Sequence, residues 1–410
     1  MNVYAIIILS ALLVDYLLNR SADFLNVRAA SGDLPAEFSD VYDAEAYRKS
    51  QMYLRESTRF ETRVATISLA VLLVFWFGGG FALVDRYVRS LDAGVVVRGL
   101  AFVGILVAAR LLLSLPFRWY STFVLEEKYG FNKTTVATFF KDLVKGLILA
   151  IVLGGPLLAG ILFFLDTAGA AAWLYCWLAA SAFMLFVQFI APIWIMPLFN
   201  KFTPLEQGAL RDAILAYTAQ AGFPVKGLYV IDGSRRSSHS NAFVAGFGPN
   251  KRIGLFDTLV EQHAVEELVA VIAHEVGHWK KRHVVKTLAV GIAHAGIMFY
   301  LLSLFITQKG LFEAFGVEPS VYAGLIFFGL LYAPIEMVLS LLMQFLSRKH
   351  EWEADRFAAD TYAPEPLTNA LKRLSAHNLV NLTPHKIKVF LDYSHPPVLE
   401  RVRHLSRLNP

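Results

Sequence analysis

Apolar and polar positions fall in long blocks along this chain. Seven stretches are almost wholly apolar: Val3–Leu18, Val64–Val84, Gly99–Leu115, Gly146–Leu165, Ala172–Leu198, Val284–Ile306 and Val321–Phe345. Most approach the ~20 residues a helix needs to cross a bilayer, so the blocks predict seven membrane spans. The first is short and the seventh contains Pro334. Two polar blocks, 199–283 and 347–410, have the pattern of globular pieces. The chain thereby divides into spans over 1–198, a first globular piece over 199–283, spans over 284–346 and a second globular piece over 347–410.

Within the first polar block, Phe202–Gly222 reads as an amphipathic helix opened by Thr203-Pro204, with proline in the first turn. Strands are expected at Gly227–Ile231, Asn241–Phe247 and Arg252–Phe256, separated by Gly233–Ser240 and Gly248-Pro249-Asn250. A small hairpin would thus precede the run Ala264–Gly277, which is rich in Ala, Val, Glu, Leu and Ile, lacks Pro and reads as a helix. Trp279–His283 alone divides that helix from the sixth span, so one helix is expected to run on into the membrane. The second polar block is helical in pattern to about Asn378.

Composition agrees with a membrane protein: 56% of the 410 residues are hydrophobic and 17% charged, against about a quarter charged in soluble domains. The net charge of +5 comes without a long basic run, which gives no case for nucleic acid. Its distribution is informative instead. Arg20, Arg28, Arg48, Lys49, Arg55, Arg59 and Arg63 follow the first span and Arg118, Lys128, Lys133, Lys141 and Lys145 the third, whereas the fourth connection has no Lys or Arg and the sixth only Lys309. Positive charge stays inside, so both polar blocks are expected in the cytoplasm. The N-terminal run lacks a basic start and a small-residue cleavage site and reads as a retained anchor. Cys176 is the single cysteine, which excludes an internal disulfide and leaves His and carboxylates to hold any metal.

The candidate chemistry lies at His274-Glu275-Val276-Gly277-His278, an H-E-x-x-H pattern. Residues four apart share a helix face, so both imidazoles can reach one metal ion while Glu275 points at the same spot. Such an ion leaves positions for a third protein ligand and for a water whose proton Glu275 is placed to take. The alternative is two surface histidines on an amphipathic helix. A third histidine six residues on, with glycine three on, would mark one large protease class; Val284 and Lys281 stand there. His283 is one residue off the required face and is expected at the surface, on the membrane border. Glu351 and Asp355, four apart after the seventh span, would share a face, one binding metal and the other orienting a ligand imidazole, while Glu353 points elsewhere. The alternative is an ordinary charged end to a span.

With these residues together, the chain resembles the integral-membrane zinc CAAX prenyl proteases, the a-factor-converting gluzincins. The resemblance extends to Leu125–Lys133, Asn241–Phe247, Lys251–Leu259, Ser347-Arg348 and Ser394–Arg401. It implies one zinc ion on His274, His278 and Glu351, Glu275 as general base and Asp355 behind the ligands. It implies a predominantly α fold, a barrel of seven spans around a large water-filled chamber, capped by a cytoplasmic metalloprotease domain with a small β-sheet. It further implies that the strand with Asn241, Ala242, Phe243 and Val244 pairs with a protein or peptide substrate, possible prenylation at a C-terminal cysteine included. His395 would donate to the oxyanion, and Arg401 would meet the substrate carboxylate or hold the site together. The chain ends Arg407-Leu408-Asn409-Pro410, where reticulum members often carry dilysine, which favours a bacterial plasma membrane.

Two further readings stand beside this one. A quality-control zinc protease without a lipid requirement would use the same motifs with fewer spans. Asp15, Arg110, His294 and Glu336 fall inside apolar stretches, where ionisable groups need water or partners. They would suit a chamber or a transport path, and the absence of internal repeats speaks against transport.

Overall fold

The computed structural model describes residues 1–30, 32–246 and 251–408. Among these residues seven helices are long and apolar enough to cross a membrane: α1 Val3–Ala29, α2 Ala44–Phe77, α3 Val95–Tyr129, α4 Val136–Thr167, α5 Gly169–Phe199, α8 His283–Phe305 and α9 Val321–Thr361. Between and after them lie α6 Ala209–Gln220, α7 Val265–Lys280, α10 Pro364–His377, α11 Lys386–Asp392 and α12 Val398–Ser406. Local chemistry starts several of these. The side chains of Asn2, Asp43 and Ser320 accept from the backbone N–H groups of Ala5, Ala46 and Ala323, satisfying donors that a helix start leaves free.

Several spans outrun their apolar stretches. The helix begun at Val3 continues to Ala29, beyond the expected Leu18, and α9 runs through Pro334 for 41 residues. Hydropathy marks the lipid-facing length only, and a helix with good caps has no reason to stop at the membrane surface.

The tightest apolar packing gathers at one end of the spans. Ile8 near the start of α1, Trp76 at the end of α2, Phe102 in α3, Leu162 in α4, Phe299 and Leu302 in α8, and Phe327 in α9 form one buried cluster. A second cluster belongs to the other end, where Ile214, Ile253, Leu255, Leu259, Leu268, Ile272, Val276 and Ala358 enclose α7. The two polar blocks therefore share a single core.

The sheet holds β1 Phe202–Pro204, β2 Gly227–Ile231, β3 Ala242–Ala245 and β4 Arg252–Phe256, in the order β1-β2-β4-β3. The β3–β4 pair is the expected antiparallel hairpin, Ala242 opposite Leu255; Phe247 lies outside the described residues. Strand β2 instead pairs with β4 in parallel, Gly227 opposite Arg252. The expected helix at Phe202–Gly222 is corrected. Its first residues form β1, and α6 begins after Gly208. Proline lacks the N–H that an inner strand needs, and Pro204 sits on an edge strand where nothing asks for it.

Candidate metal centre

Helix α7 carries Glu266 and Glu267 in its first turn, where carboxylates suit the positive helix end. It buries Leu268, Val269, Ala270, Ile272, Ala273 and Val276, so the helix that holds His274 and His278 is clamped on most sides. Helix α9 packs across it at Gly277. A Cβ on Gly277 would stand 3.2 Å from both Cα and the carbonyl oxygen of Ala354, a crowded contact that glycine avoids. The approach brings the α9 face with Glu351 and Asp355 against the two histidines.

Nε2 of His274 lies 3.1 Å from Nε2 of His278. Glu351 closes the triangle, its oxygens 3.4 Å from His274 Nε2 and 3.2 Å from His278 Nε2. One ligand atom from each of the three fits within 4.8 Å of the others. Two imidazole nitrogens this close repel unless a proton or a cation lies between them, and Glu351 Oε2 is buried with no hydrogen-bond partner among the described residues. Two nitrogens and a carboxylate are a donor set that zinc accepts. The residues fit the metal.

Asp355 is fully buried behind His274, Oδ1 2.9 Å from Nδ1 but off hydrogen-bonding alignment. Arg401 of α12 holds Asp355 with two hydrogen bonds, of 2.8 and 2.6 Å, and its third nitrogen is 3.4 Å from Glu351. Burial pulls the His274 imidazole down, but its close pairing with the Asp355 and Glu351 carboxylates carries it up to about 9. The field of the pocket thus favours a cation. Burial pushes the Glu275 carboxyl up, against the pull of the His274 and His278 imidazoles. The Glu275 side chain has no hydrogen-bond partner among the described residues, so its oxygens are available.

His395 precedes α12 and brings Nε2 to 3.4 Å from Glu351, with Ser394 Oγ 2.8 Å from its Nδ1. Arg348 holds that segment: it donates to the carbonyls of Val389 and Tyr393 at 3.1 and 2.7 Å. Strand β3, with Ala242, Phe243 and Val244, is the outer strand of the sheet and packs against α7, and Asn241 is exposed at its start. Arg401 is buried, with Asp355 as its hydrogen-bond partner.

One helix end and one residue fall elsewhere than the sequence suggests. The metal helix does not run on into the membrane; it ends at Lys280, and Arg282 takes a left-handed φ of 57° before α8 begins. This turn folds His283 back, so it is buried and its Nδ1 stands 3.0 Å from Nδ1 of His278 rather than at the surface. A left-handed arginine leaves no mark in sequence, where glycine is the usual sign. Glu353 does point away from Glu351, and what it meets is His283, 3.0 Å away.

Membrane spans closed over a buried two-histidine, one-glutamate pocket, with a carboxylate free beside it, define a membrane metallopeptidase. Family models agree: one described as CAAX prenyl protease N-terminal, five membrane helices, matches residues 23–201, and one described as peptidase family M48 matches 204–409. The CAAX prenyl protease 1 homolog of Oryza sativa subsp. japonica is 38% identical over 91% of this chain and 90% of its own length. CAAX prenyl protease 1 of Saccharomyces cerevisiae is 35% identical over 91% and 88%. The crystal structure of S. mikatae Ste24p matches with a TM-score of 0.94 at 32% identity, over 99% of each chain. The chain belongs to peptidase family M48, as a multi-pass membrane metalloendopeptidase with the seven-helix chamber fold.

Proposed function

We propose that the chain is a zinc endopeptidase that cuts near the C-terminus of CAAX-type proteins or peptides, prenylated at the cysteine. The observation that carries this reading is the convergence of His274, His278 and Glu351 beside Glu275. The names of the relatives support the substrate class. Zinc on those three ligands would supply a Lewis acid for the scissile carbonyl and acidify a water. Glu275, its carboxyl raised by burial, takes the proton of the attacking water and returns it to the leaving amine. His395 donates from Nε2 to the oxyanion. The Ser394 hydroxyl, 2.8 Å from Nδ1, can donate there and leave the hydrogen on Nε2. The free edge of β3, from Asn241 to Val244, takes the substrate backbone as an added strand. Arg401 and Asp355 hold the ligands in place. The positive connections support a cytoplasmic position for residues 199–283 and 347–410, the two catalytic pieces of this reading.

The test is mass-spectrometric mapping of cuts in a farnesylated CAAX peptide and its unlipidated twin, with detergent-purified protein and Glu275→Ala. A cut after the prenylated cysteine, reduced by at least ~100-fold in the variant, is the expected result. Cutting confined to unlipidated or unfolded chains would replace it with the quality-control reading.

A further inference from the structure

His278 and His274 are held from behind by different groups. Behind His274 stand Asp355 and Arg401; behind His278 stands His283, and behind that Glu353. His283 is 3% exposed, and its ring stacks on His350 at 4.0 Å and 10°. Lys286 and Lys349 flank Glu353 at 3.9 Å. Both Glu353 and the ligand Glu351 project from α9, while His283 opens α8.

The proton positions in this chain follow from the chemistry. His278 turns Nε2 toward His274 and Glu351, so a neutral imidazole binding metal there carries its hydrogen on Nδ1. That hydrogen needs an acceptor, and the atom 3.0 Å away is Nδ1 of His283. His283 therefore accepts on Nδ1 and carries its own hydrogen on Nε2, which donates to Glu353 Oε2 at 3.0 Å. A ligand histidine whose second nitrogen donates to a fixed acceptor is oriented and made a better donor to the metal. We infer that His283 and Glu353 are positioning residues that set the tautomer and ring orientation of His278 and so raise the affinity of the site for metal. This rests on the reading of His274, His278 and Glu351 as the zinc set.

The experiment measures zinc binding by the full chain in detergent, stripped of metal and reloaded against a chromophoric chelator. Thermal unfolding of the metal-free protein runs alongside. His283→Phe keeps the ring over His350 and removes both nitrogens; it is expected to weaken zinc binding by ~10–100-fold with metal-free unfolding unchanged. His283→Asn keeps an acceptor near Nδ1 and restores most of the loss. Glu353→Gln, which can still accept, stays close to the parent, and Glu353→Leu follows His283→Phe. Glu351→Gln is the control for the site itself. If His283→Phe bound zinc like the parent while Glu351→Gln did not, the inference would fail and the site would stand. Equal losses in His283→Phe and His283→Asn would also overturn it. A parent protein that took up no zinc would end both.

Discussion

Arg401 illustrates how much a single buried guanidinium can hold. It forms two hydrogen bonds with Asp355, which is fully buried, and its third nitrogen faces Glu351. Truncating one partner of such a pair strands the other charge in a dry interior, at a cost of about 3–5 kcal/mol. Arg401→Leu is therefore expected to lower the melting temperature sharply, and Arg401→Lys, which restores charge but not the two-pronged geometry, to fall between. Thermal unfolding in detergent measures both; an unchanged Arg401→Leu would remove the argument. The zinc candidates were legible because spacing of four on a helix is a statement about faces. The partner of Arg401 was not, since Asp355 and Arg401 meet only through tertiary packing. His283 was misread for a related reason: its face was counted along a helix that breaks one residue earlier.

At the scale of elements, the site depends on how closely α7 and α9 approach at Gly277. Gly277→Ala places a methyl group 3.2 Å from the backbone of Ala354 and from Cβ of Phe357, a contact that asks α9 to give by a few tenths of an ångström. The expected outcome is a loss of about 1–3 kcal/mol in stability, together with weaker zinc binding as Glu351 retreats. Chelator competition on the purified variant reads the second effect, and a variant that binds zinc normally would contradict it. A second junction is sensitive to pH. His239 packs its ring on Phe131 and joins Glu126 of α3 to Asn378 beyond α10. The Glu126 carboxylate, 3.6 Å away, raises its imidazole above the usual value, against burial, with Asn378 adding to the rise. A raised imidazole stabilises fully below its unfolded value near ~6.5, and that contribution fades as pH climbs through the folded value. Stability should therefore decline as pH rises through and above that range, and His239→Gln should flatten this part of the profile in unfolding scans; an unaltered slope would refute it. The strands themselves were visible as β-rich runs, but their partners were not. Alternation of side chains says nothing about whether β2 lies parallel or antiparallel to β4, and Pro204 suits a helix start and an edge strand alike.

For the whole molecule, seven apolar stretches sufficed to count the spans, because burial in lipid demands length and composition that little else imitates. Their arrangement needed the structure: one apolar cluster gathers the far ends, and the polar blocks form a second core around α7. The C-terminal piece is tied to the first span, with Lys388 2.5 Å from Asp23 and both Asn381 and the backbone of His385 bonded to Asn26. Such links join residues more than three hundred positions apart, beyond the reach of any local pattern. Helix α9 gives this union a mechanical meaning. It is one rod with Pro334 among the apolar turns and Glu351 in the pocket. At ~1.5 Å per residue the arm between them is about 25 Å, so a tilt of ~2° swings the carboxylate by about 1 Å. Metal distances tolerate only about 0.2 Å. Packing against neighbouring helices sets the tilt of such rods, so the contacts that Phe327 makes in the far apolar cluster reach the pocket along the length of α9.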